Sequence, residues 1–269
     1  MGQLGVSVGL ITRRSLVQIA HQEKSLSLKV QPPLFLFSET KTISTSLPSK
    51  FFMAIICGVD EAGRGSVIGP LVMGGVLLDE KDEPILKALG VKDSKLLTPR
   101  NRKALVSAIQ KTVKDFKLIQ VNPKEIDAHV MSEDSNLNDL ELLKTAEILN
   151  ALKPEKAYID CPSNNIKAYS SALKSLLKHD IELICAHKAD SKYVSVGAAS
   201  ILAKVRRDEE IEKIKLKINE EFGSGYPSDP MTVEFLKKNY DKYPEIFRKS
   251  WASYKNVIER KKQKGLGDY

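Results

Sequence analysis

One stretch decides the fold: AIICGVDEAGRGSVIGP, at residues 54–70. Its first six residues are apolar or small, which is typical of a buried strand. Two adjacent acids, Asp60 and Glu61, follow directly, and a glycine-rich turn at 63–69 leads into a second apolar run at 71–78. Two apolar runs joined by such a turn predict neighbouring strands. The acids at the end of the first strand indicate a site at that edge of the sheet.

Helical and strand-like patterns alternate along the rest of the chain. Thr98-Pro99 starts the first helix, because Thr caps helix N-termini and Pro fits the first helical position. This alternation predicts an α/β fold, with a mixed sheet flanked by helices and a helical C-terminal portion at 230–264. We expect helices at 98–114, 123–130, 138–152, 165–178 and 194–222, and strands at 116–121, 157–160 and 181–186.

The first 52 residues differ from the rest of the chain. They are rich in Ser, Thr, Leu and Gln, contain three prolines and show no sustained period. Three explanations compete: a targeting peptide, a disordered extension, or a translation start placed too early, with Met53 as the alternative start. We expect 1–52 to lie outside the fold, 53–222 to form the core, and 223–269 to form a basic helical portion packed on that core.

Charge and composition favour a polyanionic partner. The chain of 269 residues has a formal charge of +8 and a pI near 9.2, values that suit nucleic acid without identifying it. Residues 237–264 hold ten Lys and Arg against three acids. Such a run is either a solvated helix face or a surface that contacts phosphates.

Other classes of protein do not fit the sequence. No apolar run reaches the roughly 20 residues that span a bilayer, so no membrane partner is expected. The three cysteines are odd in number and lack paired metal-ligand spacing. Neither a disulfide framework nor a zinc site is therefore expected, and a reducing cytoplasm fits.

Two further acids stand in settings like that of Asp60 and Glu61. Asp160 ends a predicted strand, and Asp190 follows the next one. Sites in α/β sheets gather outside the carboxyl ends of strands, so we expect these acids to converge. Taken singly, each would more often be a helix cap or a loop acid. Consecutive strand side chains normally face opposite ways, but at the end of the strand the turn can re-aim Glu61 beside Asp60.

A cluster of four carboxylates requires bound cations to neutralise its charge. The acids repel one another unless positive charge neutralises them. Oxygen ligands without His or Cys suit Mg²⁺ or Mn²⁺ rather than Zn²⁺. Two such ions can activate a water and clamp a scissile phosphate, so no catalytic histidine is needed.

The turn itself carries a second signal. Gly63 and Gly65 permit positive φ and close approach, so their N–H groups are candidates to bind a phosphate or a sugar hydroxyl. Arg64 between them offers a planar donor fork to a phosphate. A Gly-Arg-Gly turn alone is weak support for a site, but its fusion to two strand-end acids is strong.

Residues 60–70 resemble the signature of ribonuclease HII, the type 2 ribonuclease H family. Further motifs match in the same order from about 54 to 255, and some resemble the archaeal and eukaryotic branch, with Asp160-Cys161-Pro162 closer to the archaeal one. Residues 1–52 have no counterpart in that family. The further motifs are DSK at 93–95, KADS at 188–191, AASILAK at 198–204, Arg207-Asp208, GSGYPSDP at 223–230 and KSW at 249–251.

The resemblance implies a ribonuclease H-like catalytic core and roles for individual residues. The metal-binding catalytic carboxylates would be Asp60, Glu61, Asp160 and Asp190. The backbone of the Gly-Arg-Gly turn would contact the ribose 2′-OH. The ring of Tyr226 would stack on the sugar of the following deoxynucleotide, which lacks a 2′-OH. The implied substrate-binding residues are Gly63, Arg64, Gly65, Lys95, Lys204, Arg207 and Tyr226.

The resemblance also implies an activity. We expect an endoribonuclease that hydrolyses the RNA strand of RNA–DNA hybrids and cuts 5′ of single ribonucleotides in duplex DNA. A two-metal-ion mechanism with Mg²⁺ or Mn²⁺ would leave 3′-hydroxyl and 5′-phosphate ends. We further expect a cytoplasmic monomer that acts in DNA replication and repair, with a sliding clamp as candidate partner.

Two rival functions remain open on the residues alone. One is a different nuclease or a strand-transfer enzyme on the same fold, which would also use clustered acids. The other is a non-catalytic nucleic-acid-binding protein that uses only the basic C-terminal surface. Clustered acids argue against the second, since without metals they would hinder phosphate binding.

Overall fold

Five strands form one mixed sheet at the centre of the protein. The structure is a computed structural model that describes residues 54–91 and 97–266, with side chains to 263. Strand order is β3-β2-β1-β4-β5. β1 and β3 pair antiparallel with β2, whereas β1, β4 and β5 run parallel. The predicted mixed sheet is confirmed. Its strands are β1 (Ile55–Ala62), β2 (Leu71–Asp79), β3 (Asp115–Val121), β4 (Lys156–Asp160) and β5 (Glu182–Ala186).

Helices flank the sheet on both faces. Several begin at capping residues. The Thr98 hydroxyl accepts from the Asn101 N–H, as the sequence predicts, and the Asn122 side chain accepts from the Glu125 N–H. The helices are α1 (Glu83–Ala88, after a 3-10 turn at Glu80–Asp82), α2 (Pro99–Thr112), α3 (Pro123–Val130), α4 (Leu137–Leu152), α5 (Ile166–Leu176), α6 (Ala189–Lys192), α7 (Val194–Ile218), α8 (Pro230–Asn239) and α9 (Ala252–Leu266).

Two of the predicted helical segments differ from the structure. The long helix α7 ends at Ile218, because Asn219 adopts a left-handed conformation with φ of 54°. The prediction carried it to 222. The C-terminal portion is helical only in α8 and α9, and residues 240–251 between them form turns.

The two faces of β1 pack against different layers. Cys57 and Val59 join the cluster that contains Leu140 of α4, whereas Ile56 joins the cluster that contains Val196 of α7. Alternate residues of a strand point to opposite faces. The next residues therefore diverge as well, with Asp60 on the α7 side and Glu61 on the α4 side.

Helix α7 lies directly on β1. A Cβ at Gly58 would overlap the backbone of Ser195, so only glycine permits this approach. The close packing carries the following turns of α7 across the end of β1. Ser200 and Lys204 thereby reach Asp60, and both act on its carboxyl group.

The segment after α7 packs on the turn that follows β1. Val67 and Ile68 share an apolar cluster with Phe222, Phe235 and Phe247. A backbone bridge joins Ile68 to Phe247. These contacts hold residues 63–69, here called the recognition loop, between the sheet and the C-terminal segment.

Some predictions lie outside the described residues or stay untested. Residues 1–52 fall outside the described ranges, and so does Lys95. The division of the chain at 222/223 into a core and a C-terminal portion stays a prediction. In the described ranges, no helix combines the length and apolar character that crossing a bilayer would require.

Candidate active site

Three of the four predicted acids meet at the carboxyl edge of the sheet. Each of Asp60, Asp160 and Asp190 offers a carboxylate oxygen, and these atoms all lie within 4.8 Å of one another. Asp60 is in β1, Asp160 ends β4, and Asp190 lies in α6 just after β5. Because these strands are parallel, their carboxyl ends share one edge. We call these three residues the three-acid cluster.

The surroundings of the cluster disfavour negative charge. The pKa of the Asp60 carboxyl group is raised to about 7, chiefly by burial and in addition by the charge of Asp160. The Ser200 hydroxyl and the Lys204 ammonium act in the opposite direction. The Lys204 Nζ donates to the Ser200 Oγ at 2.7 Å. The structure thus brings Lys204, a predicted substrate-binding residue, beside the acids.

The Asp160 carboxylate accepts a backbone hydrogen bond from the short helix α6, which follows the neighbouring strand β5. The Ala189 N–H donates to the Asp160 Oδ1 at 3.1 Å. Ala189 is the first residue of α6, and Asp190 follows it. The same short helix therefore orients Asp160 and supplies the third acid.

Glu61 lies within β1 and not in the turn. β1 continues through Ala62, and Glu61 pairs with Met73 inside the ladder. The turn begins only after Ala62, so the strand and not the turn sets the backbone direction of Glu61. Burial raises the pKa of Glu61 well above its ordinary value, and the charges of Asp60, Glu141 and Asp160 add to this. Its role as a metal ligand stays a prediction.

Arg64 of the recognition loop is anchored to α4. Its Nε donates to both carboxylate oxygens of Glu141, at 2.8 and 3.2 Å, and its Nη2 donates to the Asn138 Oδ1 at 2.8 Å. The Glu141 side chain is 0% exposed. The pKa of Glu141 is raised to about 7, because burial outweighs the opposite effect of Arg64. The Nε and Nη2 donors of Arg64, a side chain predicted to bind a phosphate, are therefore occupied by Glu141 and Asn138.

Sequence reasoning missed Glu141 and Asn138. Glu141 stands among leucines on the buried face of α4, and a lone acid on an apolar helix face is a signal for a buried ion pair. The partner could not be identified, because Arg64 lies 77 residues away in sequence.

The two glycines of the recognition loop differ. Gly63 has φ of +81°, and a Cβ there would lie 2.7 Å from the Pro70 carbonyl oxygen. Gly63 therefore has the predicted conformation. Gly65 lies outside the positive-φ region, and a Cβ there would meet nothing within 4 Å. Gly65 does not use the positive φ that a glycine permits.

Arg248 braces the loop from the C-terminal segment. Its guanidinium donates to the carbonyl oxygens of Arg64 at 2.9 Å and Gly69 at 3.1 Å. The side chain is fully buried, and its Cζ lies 4.9 Å from the centroid of the Trp251 ring. Arg248 was also missed, although it adjoins the KSW motif.

Arg207 and Tyr226 meet beside Gly63. The Arg207 Cζ lies 4.7 Å from the centroid of the Tyr226 ring, and the Arg207 Nη2 donates to the Ser224 carbonyl oxygen. A Cβ at Gly63 would be 3.3 Å from the Arg207 Cγ. The structure thus brings together the loop, the arginine and the tyrosine predicted to bind substrate.

The match to known proteins covers the whole of this site. The sequence profile of the family described as Ribonuclease HII matches residues 57–254. The chain belongs to the ribonuclease HII family. It is a metal-dependent ribonuclease H, an endoribonuclease that acts on RNA–DNA hybrids.

Similar ribonucleases HII come from archaea. The protein from Pyrococcus horikoshii is 47% identical over 210 residues, covering 76% of this chain and 93% of the relative. The protein from Methanocella arvoryzae is 46% identical over 206 residues, covering 76% of this chain and 91% of the relative.

Solved structures of the family have the same fold. The crystal structure of the ribonuclease H2 from P. horikoshii OT3 gives a TM-score of 0.70 at 47% identity, covering 76% of this chain and 97% of that one. The ribonuclease HII in a complex with PCNA from Archaeoglobus fulgidus gives 0.67 at 41% identity, covering 73% and 95%.

The three-acid cluster suits the divalent ion that a ribonuclease H needs. Its donors are all carboxylate oxygens, the set preferred by Mg²⁺ and Mn²⁺. Asp60 and Asp190 are buried, and Asp160 is half-buried. The raised pKa of Asp60 reflects poorly compensated negative charge, which a bound cation would stabilise.

Proposed function

We propose that this ribonuclease H also cuts 5′ of single ribonucleotides embedded in duplex DNA, leaving 3′-hydroxyl and 5′-phosphate ends. One observation carries the proposal. The three-acid cluster adjoins a glycine turn and an Arg207–Tyr226 stack. Candidate metal ligands and groups able to contact a sugar therefore lie side by side.

The acids provide the reactive half. Asp60, Asp160 and Asp190 would hold two divalent ions, Mg²⁺ or Mn²⁺, with Glu61 as the fourth ligand. Bound there, the ions supply activation of the attacking water and neutralisation of charge on the scissile phosphate. Lys204 keeps a positive charge beside Asp60 and lowers its pKa. Ala189 holds Asp160 in position through its N–H.

The recognition loop provides the selective half. The 2′-OH is the feature that separates RNA from DNA at one nucleotide. Gly63 has no side chain, so a ribose can approach its backbone. The Tyr226 ring is half-buried and rests against Arg207, which leaves it rigid enough to test the following sugar. Arg64, Gly65, Lys95 and Arg207 would complete the contacts to the substrate.

Partners and location are proposed by similarity. The A. fulgidus ribonuclease HII was solved with PCNA, and we extend clamp binding to this chain. We propose a cytoplasmic monomer that acts in DNA replication and repair. Size-exclusion chromatography with and without a sliding clamp tests this, since co-elution supports binding and separate elution of both proteins opposes it.

A cleavage assay tests the main proposal. Three labelled duplexes are compared in Mg²⁺, Mn²⁺ or EDTA: an RNA–DNA hybrid, DNA with one ribonucleotide, and all-DNA. We expect one cut 5′ of the ribonucleotide, with a 5′-phosphate on the downstream product and no reaction in EDTA. Folded protein that cuts the hybrid but leaves the single ribonucleotide intact contradicts the proposal. Equal cleavage of all-DNA would favour a general nuclease.

A further inference from the structure

Ser200 is a buried serine of α7 that contacts the three-acid cluster. Its exposure is 0%, and that of Asp60 is 6%. The Lys204 Nζ donates to the Ser200 Oγ at 2.7 Å, and the Ser200 side chain is hydrogen-bonded to the Asp60 carboxyl group. Ser200 therefore links the lysine to one of the acids expected to hold metal.

The direction of these two hydrogen bonds follows from their chemistry. A lysine ammonium group has donors only, so Ser200 must accept from Lys204. Its single hydroxyl proton is then available to the Asp60 carboxylate, which can only accept. A serine inside a helix often donates instead to the carbonyl group four residues earlier. At Ser200 the proton is directed to the site.

Ser200 gives Asp60 a second donor. The first is the Glu61 N–H, which donates to the Asp60 Oδ1 at 2.8 Å. A carboxylate held by one donor can still rotate about its last side-chain bond, because that torsion is soft. A second donor on a different element restricts this rotation. Since both side chains are buried, water does not readily replace the hydroxyl group.

Close packing on the sheet fixes the turn of α7 that carries Ser200. A Cβ at Gly74 of β2 would lie 2.9 Å from the Ala199 carbonyl oxygen and 3.3 Å from the Ala203 Cβ. Ala199 and Ala203 are both fully buried. The backbone on either side of Ser200 is thus held against the sheet, so the hydroxyl group has a rigid support.

We propose that Ser200 is a positioning residue of the metal site, whose hydroxyl group orients the Asp60 carboxylate toward the ion. Carboxylates that bind metals are commonly held by hydrogen bonds, and loss of such a support typically costs about 10- to 100-fold in metal affinity or activity. Mg²⁺ in particular demands near-ideal octahedral geometry. The inference rests on the proposed binding of metal by the three-acid cluster, and it adds a residue to the four acids.

Mn²⁺ binding to metal-free protein tests this role without relying on turnover. Isothermal titration calorimetry measures the dissociation constant of the wild type and of Ser200→Ala. We expect Ser200→Ala to bind Mn²⁺ about tenfold more weakly. The increase in Tm at a fixed Mn²⁺ concentration should shrink in parallel. Cleavage of an RNA–DNA hybrid should need about tenfold more Mn²⁺ for its half-maximal rate and should recover to within about threefold at saturation.

Ser195→Ala is the matched control. Ser195 is also fully buried, and it lies in the first turn of the same helix, against Gly58. The substitution removes the same hydroxyl group away from the three-acid cluster. It should leave the Mn²⁺ affinity within about twofold of the wild type. Equal weakening by the two substitutions would indicate a general packing effect and would overturn the role of Ser200.

The outcomes separate this inference from the proposals on which it rests. Wild-type protein that binds no Mn²⁺ overturns metal binding by the cluster, and the role of Ser200 with it. Wild-type binding with unchanged affinity in Ser200→Ala overturns the role of Ser200 alone. Cleavage 5′ of a single ribonucleotide has its own assay and stands or falls separately.

A wild-type crystal structure with Mn²⁺ decides the matter if Ser200→Ala does not fold. The Ser200 Oγ should lie within about 2.5–3.0 Å of an Asp60 carboxylate oxygen while Asp60 binds the ion. A separation beyond about 3.5 Å would overturn the positioning role.

Discussion

The three-acid cluster and the recognition loop are neighbours that the chain positions in different ways. The acids stand close to the carboxyl ends of parallel strands, so the topology of the sheet brings them together. The loop instead depends on polar contacts from distant segments. Glu141 holds the Arg64 side chain across 77 residues, and Arg248 holds the Arg64 carbonyl across 184.

The residues that position the acids are therefore different from the residues that position the recognition loop. Loss of an acid removes a ligand without disturbing the packing of the sheet. Loss of a side chain that anchors the recognition loop displaces the groups expected to contact the sugar. It also lowers the free energy of unfolding. Substitutions in the two regions should therefore have distinct signatures.

The largest effect is expected in the three-acid cluster. Asp60→Asn keeps the volume of the side chain but removes an anionic ligand. Cleavage of an RNA–DNA hybrid should fall by on the order of a thousandfold or more. The far-ultraviolet circular dichroism spectrum and the affinity for the duplex should change little. Near-normal turnover by this variant would exclude Asp60 as an essential ligand.

Removal of the support beneath the loop should have a smaller effect on rate. Glu141→Ala leaves Arg64 without its main partner, and small misplacement of a binding group can cost about 10- to 100-fold. Cleavage next to a single ribonucleotide is measured alongside thermal unfolding. Glu141→Gln, which keeps the size and one acceptor, should lose less. Wild-type rates for Glu141→Ala would show that Arg64 needs no such anchor.

The glycine pair offers a still finer comparison. Gly63→Ala introduces a side chain at φ of +81°, which costs about 1–2 kcal/mol before any clash with Pro70. Gly65→Ala enters open space and should change the free energy of unfolding by less than about 0.5 kcal/mol. Chemical denaturation measures both. Equal destabilisation would contradict the conformations described for the loop.

The smallest expected effect links pH to the cluster. Asp60 has a folded pKa near 7, raised from 3.8. A carboxyl group whose pKa is higher in the folded state stabilises the fold fully when the pH is below its unfolded pKa. That contribution is lost as the pH rises through the folded pKa of about 7. Metal-free protein should therefore lose stability between about pH 5.5 and about pH 8. Asp60→Asn should remove part of this loss, about 2–4 °C in Tm by thermal scan.

Added Mn²⁺ provides the complementary half of that experiment. Metal binding requires a deprotonated carboxylate, so Mn²⁺ should raise Tm more near pH 8 than near pH 5.5. The difference should shrink in Asp60→Asn. A wild-type Tm increment that is larger at the lower pH would contradict the assignment.

Local signals made much of the fold predictable. Helix α3 occupies the predicted residues 123–130, because Asn122 and Pro123 mark its start. The end of α7 was misplaced because the prediction placed the helix stop at the glycines 223 and 225, whereas the helix ends at Asn219, a residue type that also adopts the left-handed conformation of helix ends. Short helices such as α1 and α6 were missed, because one or two turns are too short to show a helical period.

The site was predictable where strand ends define it. Asp60, Asp160 and Asp190 follow apolar runs, and parallel strands place such residues at one edge. The end of β1 was not predictable to the residue, because the sequence does not reveal that the strand continues through Glu61 to Ala62. Glu141 and Arg248 escaped notice because their partners are distant in sequence, and only the folded chain brings them into contact.

The most direct test of the central claim is a crystal structure of the wild-type protein soaked in Mn²⁺, with anomalous data that locate the ion. We predict an anomalous peak within about 2.0–2.3 Å of carboxylate oxygens from Asp60 and at least one of Asp160 and Asp190. A peak elsewhere, or no peak at saturating Mn²⁺ with the acids diverging, would contradict the account.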